Sequence, residues 1–228
     1  MKRGQKERGY PKPGKKSDPQ RKILITAGPT IEPLDPVRYI SNRSTGTMGY
    51  EIAAEGKRRG LSVCLISGPV CLRAPSGMEV VKVTTAREMR DKVLERIKKY
   101  DGLIMAAAVC DFRPEKRKEN KIKKRNTMTL KLVKNPDILR EAGKQKTIKK
   151  IGFALETENH LKNGLDKLKA KKLDMIIVNA AGKGADPFGP GEGQYTTIDA
   201  DGNSRKHRKI TKKQMAKVII DELEKMMR

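Results

Sequence analysis

Short apolar runs alternate with amphipathic stretches along most of this 228-residue chain. Ile23-Leu24-Ile25-Thr26 predicts a buried strand, and Met48, Ile52 and Ala53 then fall on one helix face that Gly60 brings to an end. A second strand is expected over Ser62 to Ser67 and a third over Val80 to Val83. Met89, Val93, Leu94 and Ile97 recur at helical spacing before a buried strand from Gly102 to Ala107. The alternation continues with Ile151 to Ala154, a helix carrying Leu161, Leu165 and Leu168, the run Met175 to Val178, and a closing helix with Met215, Val218, Ile219 and Leu223. Strand and helix in turn predict an α/β, three-layer fold: a mostly parallel central sheet covered on both faces, with ligands gathering at the carboxyl ends of its strands.

Two stretches break the rhythm. Arg113 to Val133 is crowded with charge before the alternating Met128-Thr-Leu-Lys-Leu-Val, which reads as a hairpin or flap projecting from the sheet. Gly182 to Gln194 holds five glycines and two prolines and is expected to be a loop before a short antiparallel edge ending near Gly202. No internal repeat is visible. Met1 to Gln20 mixes Lys, Arg, Gly and Pro with hardly any apolar side chain, and so cannot bury enough surface to offset its ordering entropy. The expected organisation is a disordered basic tail over 1–20 and one domain over 21–228.

Charge narrows the choice of partner. Lys and Arg number 52 against 27 Asp and Glu, a net +25, and the tail supplies only +5 of it. The body is therefore basic, which implies nucleic acid, a phosphorylated small molecule, or simply a lysine-rich proteome. Aromatic residues make up 4% of the chain, too few for a binder that stacks bases on exposed rings, so nucleic acid is the weaker partner. Cys64, Cys71 and Cys110 are odd in number and widely spaced, which excludes a disulfide framework and a zinc knuckle and fits a reducing cytoplasm. No apolar run is long enough for a membrane span, and the basic N-terminus lacks a signal peptide's apolar block. The expectation is a cytoplasmic protein with no membrane partner.

The chemistry concentrates in the loops after the strands. Tyr39-Ile-Ser-Asn-Arg-Ser-Thr-Gly-Thr-Met-Gly49 turns through small residues into a helix, which makes a seat for an anion at free backbone N–H groups and the helix dipole. Arg38 and Asn42 stand beside that turn. Arg can fork onto a phosphate or carboxylate and a side-chain amide can donate to a developing oxyanion, so the pair points to acyl or phosphoryl chemistry. In Thr26-Ala-Gly-Pro-Thr30, Gly28 permits close backbone approach and the Thr30 hydroxyl can reach a phosphate; the next residues, with Glu32, Pro33, Asp35 and Pro36, form a rigid connection. The spacing G-x-G-x-x-G and the Walker lysine are both missing, which leaves a plain dinucleotide dehydrogenase and a P-loop enzyme without support.

Further on, Ala106-Ala-Ala-Val-Cys-Asp-Phe-Arg-Pro114 offers small residues at a strand end, with Asp111 placed to accept from a ligand hydroxyl or amide or to help hold a metal. Cys110 lacks a histidine in any recognisable partner arrangement, so cysteine catalysis is not expected. Asn120-Lys-Ile-Lys-Lys124 on its own is a solvated lysine run. Lys134-Asn-Pro-Asp-Ile138 reads as a helix start, Asn135 capping and Pro136 first in the helix. Lys167 and Lys171, four apart, share one helix face and repel unless an anion or carboxylate lies between them.

Taken in order, ILITAGPTIEPLDPVRYISNRSTGTMG, AAAVCDFRP, KIKK, KNPDIL, GFALETE and the lysine pair resemble the phosphopantothenate–cysteine ligases, from about Lys22 to the C-terminus. The resemblance implies a Rossmann-like fold and a ligase joining 4′-phosphopantothenate to L-cysteine with CTP and Mg²⁺, through an acyl-cytidylate, with release of CMP and pyrophosphate. By the family's pattern Asn42 would hold the acyl-nucleotide and its oxyanion, and Lys121 would neutralise the triphosphate as the second catalytic group. Arg38, from the neighbouring subunit of a homodimer, would grip the phosphate of phosphopantothenate in a pocket completed by Ala107, Ala108 and Asp111. The implied nucleotide set is Gly28, Thr30, Gly46, Met105, Ala106, Ala107, Asp111, Lys121, Asn135, Pro136, Asp137, Ile138, Phe153, Lys167 and Lys171. Metal ligands cannot be assigned, since Mg²⁺ is held largely by phosphates and water.

The chain departs from the family at Cys110, where Ala is usual, at Asn120, which replaces Glu before KIKK, and after Asn179, where Ala stands for a frequent Asp. Bacterial members commonly carry an N-terminal flavin-dependent decarboxylase. A basic tail of twenty residues cannot be one, so no flavin is expected on this chain, which is either a stand-alone ligase, its product passing to a separate decarboxylase, or an excised domain. Two other classes compete: a non-catalytic basic nucleic-acid-binding protein on the same fold, and a nicotinamide oxidoreductase, which the missing glycine spacing disfavours.

Overall fold

The computed structural model describes residues 20–124, 126–180, 188–189 and 191–228. The expected tail lies outside these residues except for Gln20, as do 182–187 and 190 of the glycine-rich stretch. The first apolar run forms β1 (Lys22–Ala27), with five of its six side chains buried. A small hairpin of β2 (Ile31–Pro33) and β3 (Tyr39–Ser41) follows, and then α1 (Thr47–Arg58), β4 (Ser62–Ser67), β5 (Glu79–Lys82) and α2 (Ala86–Arg96). Next come β6 (Gly102–Met105), the two-stranded base β7 (Phe112–Pro114) and β8 (Leu132–Lys134), and the short α3 (Ile138–Ala142). The chain closes with β9 (Lys149–Glu156), α4 (His160–Lys171), β10 (Met175–Ala180), β11 (Gly193–Asp199), β12 (Ser204–Ile210) and α5 (Lys212–Met226).

Eight strands make one sheet in the order β12-β11-β10-β9-β6-β1-β4-β5. From β10 to β5 every pairing is parallel, while β11 and β12 add an antiparallel edge. Alternation along β1 divides the core. Ile23, Ile25 and Ala27 pack with Ile219, Ile220 and Leu223 under α1 and α5, whereas Leu24 joins Met89, Val93, Ile138 and Leu168 under α2, α3 and α4. Burial on both faces explains why β1 and β6 read as continuous apolar runs. The expected three-layer, mostly parallel Rossmann-like fold is the fold found.

Several expectations need correction. Strand pairing covers Glu79–Lys82 rather than Val80 to Val83, and β6 ends at Met105 rather than Ala107. Beyond Met105 the backbone turns onto the first strand: Ala106 N–H donates to Thr26 O, and Ala108 bridges Pro29. In the flap, the alternating segment enters a strand only at Leu132 and Val133, with Lys131 O accepting the Glu115 N–H at 3.0 Å; Met128 and Leu130 are exposed. Asp137, not Asn135, caps α3, its side chain accepting the Arg140 N–H, so Pro136 stands outside the helix. Leu161 is exposed at the start of α4 instead of packing into the core. The antiparallel edge does not end near Gly202, which supplies a left-handed turn (φ 88°); β12 continues from it as Ser-Arg-Lys-His-Arg-Lys-Ile, with no apolar alternation to betray a strand.

Candidate active site at the carboxyl ends of the central strands

The loops after β1 and β6 are zipped together. Ala108 N–H donates to Gly28 O at 2.9 Å and Thr30 N–H to Ala108 O at 3.2 Å. Asn42 Nδ2 donates to the same Ala108 carbonyl at 3.0 Å, which draws the exposed carboxamide from the β3–α1 loop onto the β6 loop. Asn135 completes the join: its N–H donates to Asp111 O at 2.8 Å and its buried Nδ2 to Cys110 O at 2.9 Å. The carboxamide of Asn42, the exposed Asp111 and the entry to α3 thereby come from three loops into one hydrogen-bonded network.

The helix behind this network begins without protection. Gly46 caps α1 in the left-handed conformation (φ 82°), no side chain among the described residues caps the helix, and its first turn holds no acidic residue. The dipole end is left available to an anion. Gly46 and Gly28 (φ 76°) press backbone to backbone beneath Val70: a Cβ on Gly46 would lie 3.2 Å from Gly28 Cα, and one on either would lie 2.8 Å from Val70 Cγ1. Both glycines are buried, so backbone is what they present.

The lysine pair has its carboxylate. Lys171 Nζ is bonded to Asp137 Oδ2, and Asp137 also caps α3. Burial pushes the Asp137 carboxyl upward, but the Lys171 bond and the Arg140 N–H outweigh it and hold the group below the usual carboxylate range. Among the described residues Lys167 makes no such pair. Burial depresses its ammonium, opposed by Glu156, while Lys171, Asp111 and Asp137 all lie within its field. An ammonium that burial disfavours and acids only partly satisfy is suited to an incoming phosphate.

Two of the residues expected to meet the nucleotide have side chains tied into the fold. Thr30 is fully buried, and its Oγ1 accepts the Cys110 N–H at 2.9 Å, so the hydroxyl ties two loops together instead of reaching outward. Phe153 leans on the core beneath α1 and α5, across the sheet from Lys167 and Lys171, because strand alternation turns Ala154 toward α4 and Phe153 away. Met105 is buried, with Ala106 and Ala107 partly exposed beyond it. Cys110 is buried too, which pushes its thiol up and makes it a poor nucleophile.

Lys121 is exposed in the flap. Its neighbour Ile122 is bound on both sides, the N–H donating to Asp35 Oδ2 at 3.0 Å and the carbonyl accepting from Arg38 Nη1 at 3.2 Å. Sequence reasoning took Asp35 only as part of a stiff connection. Its signal was a lone acid between two prolines, Pro33 and Pro36, directly ahead of Arg38.

Residues 19–227 match the family described as DNA/pantothenate metabolism flavoprotein C-terminal domain. A cysteine/cysteine sulfinic acid decarboxylase of an unknown prokaryote is 41% identical over 204 residues, covering 88% of this chain and 57% of that protein. The coenzyme A biosynthesis bifunctional protein CoaBC of Haemophilus influenzae is 41% identical over 202 residues, covering 87% of this chain and 49% of its own. The chain thus spans about half the length of the curated relatives it matches. A crystal structure of the C-terminal domain of CoaBC superimposes with a TM-score of 0.78 at 34% identity, covering 90% of this chain and 95% of that one.

Proposed function

Since this chain belongs to the DNA/pantothenate metabolism flavoprotein C-terminal domain family, we propose that it is a phosphopantothenate–cysteine ligase of coenzyme A biosynthesis. It joins 4′-phosphopantothenate to L-cysteine with CTP, through an acyl-cytidylate, and releases CMP and pyrophosphate. The observation that carries this reading is the network in which Asn42, Ala108, Asp111 and Asn135 converge beside the unprotected start of α1 and the Lys167/Lys171 pair.

The residue types fit the two steps. A carboxylate becomes a good electrophile once its oxygen attacks the α-phosphate and expels pyrophosphate; the cysteine amine then displaces CMP. Each step gathers negative charge at one place, where preorganised donors act most strongly. Asn42 Nδ2 serves the acyl oxygen, Arg38 the phosphate of phosphopantothenate, and Lys121, Lys167 and Lys171 the triphosphate. Among the described residues no three acidic, histidine or cysteine side chains gather into a metal cage. In this reading Asp111 would offer its carboxylate to the water shell of a magnesium ion held by the triphosphate.

The active unit is a homodimer, and its product is a substrate for a flavin-dependent decarboxylase. Support for the dimer comes from Val37, Tyr39, Phe112 and Leu132, large apolar side chains left exposed on the β2–β3 hairpin and the β7–β8 base, beside Arg38. Among the described residues no helix is long and apolar enough to cross a membrane, which fits a cytoplasmic site of action.

The test is pyrophosphate and CMP release with CTP, phosphopantothenate and cysteine, repeated with ATP. Release that requires all three and is faster with CTP is expected. No release with either nucleotide would overturn the ligase reading, and polynucleotide binding whose log K falls by about 0.7 to 0.9 per phosphate neutralised would replace it.

A further inference from the structure

The connection between β2 and β3 contains a carboxylate with every acceptor position in use. The Asp35 side chain is 0% exposed. Its Oδ1 accepts the N–H groups of Val37 at 2.7 Å and Arg38 at 2.8 Å, closing a tight turn. Its Oδ2 accepts the Ile122 N–H at 3.0 Å and Arg38 Nη1 at 3.3 Å. Arg38 Nη1 in turn reaches the Ile122 carbonyl, so carboxylate and guanidinium grasp one flap residue by its donor and its acceptor together. Lys118 N–H, donating to Leu34 O at 2.9 Å, ties the flap to the same connection a second time.

Little else holds this stretch. Residues 115–121 are all exposed, and so are Lys123 and Lys124. Between the β7–β8 base and the flap's outer turn, the attachment of Lys118 and Ile122 to residues 34–38 sets where Lys121 can go. The Ile122 N–H is the largest influence on the Asp35 carboxyl and, against the cost of burial, holds it below the usual carboxylate range. A buried carboxylate that is ionised and saturated with donors has one low-energy arrangement, which is what fixing a neighbouring chain requires.

We infer that Asp35 is a positioning residue, which orients Lys121 by holding the Ile122 backbone and couples that lysine to Arg38. This rests on the ligase reading for its catalytic consequence but not for the clamp itself. Asp35 never meets substrate. It sets the entropy that Lys121 must lose on reaching the triphosphate, and a catalytic group displaced by about 1 Å can lose about a hundredfold in rate.

The test uses Asp35→Asn, which keeps the shape but turns one acceptor into a donor facing Ile122. Amide hydrogen exchange, read without any substrate, is expected to quicken at least tenfold at Ile122 and its flap neighbours and to stay unchanged in β1 and β6. In the pyrophosphate assay kcat should fall about tenfold or more with KM for cysteine unchanged; adding Asp35→Asn to Lys121→Gln should cost nothing further, whereas adding it to Asn42→Ala should. Should Asp35→Asn fail to fold, Ile122→Pro removes the donated N–H from the flap side, with exchange read at Lys121 and Lys123. Unchanged exchange in the flap, or full additivity with Lys121→Gln, overturns the proposal. A loosened flap in a chain that never releases pyrophosphate keeps the clamp and rejects the ligase.

Discussion

Asn42 is the residue on which structure and chemistry depend least equally. Its side chain is exposed, and the Ala108 carbonyl that it meets already accepts the Thr30 N–H, so the loop keeps a bond when the carboxamide is removed. Asn42→Ala is therefore expected to lower turnover by about two orders of magnitude with an unchanged melting temperature, since it deletes a donor to a developing charge. Lys121→Gln should behave likewise, its exposed ammonium having no structural duty. Steady-state pyrophosphate release beside a calorimetric melt checks both, and near wild-type rates would remove the assigned roles. Arg38, Asn42 and Asp111 were legible in the sequence because each stands in a short, chemically unusual loop. The seats of the Thr30 hydroxyl and the Phe153 ring were not legible, because a side chain's direction depends on neighbours far away in sequence: Cys110 captures the Thr30 hydroxyl, and the pleat of β9 aims the ring. Asp35 was missed for the same reason, since its partner Ile122 lies 87 positions on.

At the scale of elements, helices and parallel strands were legible because their burial is two-sided or strongly periodic. The antiparallel additions were not. β2, β3, β7 and β8 are three residues each, below the length at which a period can be counted, and β12 is held by β11 pairing despite a wholly polar face. Helix α1 is joined at its end to α5 through charge. Glu55, 7% exposed, binds Arg58 and Arg59, and Arg59 continues to Asp221 and Glu224. The Arg58 bond, outweighing burial, brings the Glu55 carboxyl from 4.5 down to about 2. A carboxyl depressed in the folded state stabilises it fully above its unfolded value and loses that contribution as pH falls through the folded one. Stability should therefore drop between about pH 4.5 and pH 2, by at most about 3 kcal/mol from this group. Glu55→Gln should be less stable than the parent at pH 7, the difference narrowing toward pH 2; urea titrations across that range measure it, and a constant difference would refute the assignment.

At the scale of the molecule, the apolar side chains beside Arg38 are the feature that a lone protomer leaves unexplained. Val37 is 60% exposed, Tyr39 58% and Phe112 51%. Burying a few such groups yields about 1.5 to 3 kcal/mol each, which favours association over exposure. Tyr39→Lys combined with Phe112→Lys is expected to shift sedimentation from dimer to monomer and to lower activity with it; a parent already monomeric at working concentration would contradict the shared-site dimer. The β12 edge of the sheet has the reverse character. Among the described residues β12 is the terminal strand, and Arg205, Lys206, Arg208 and Lys209 are all exposed along it. An identical strand approaching to extend the ladder would bring like charges into register, and the repulsion would turn it away. The sheet thus ends where it does by refusing its own copy, so neutralising those four cations should let two molecules join edge to edge in crowded solutions.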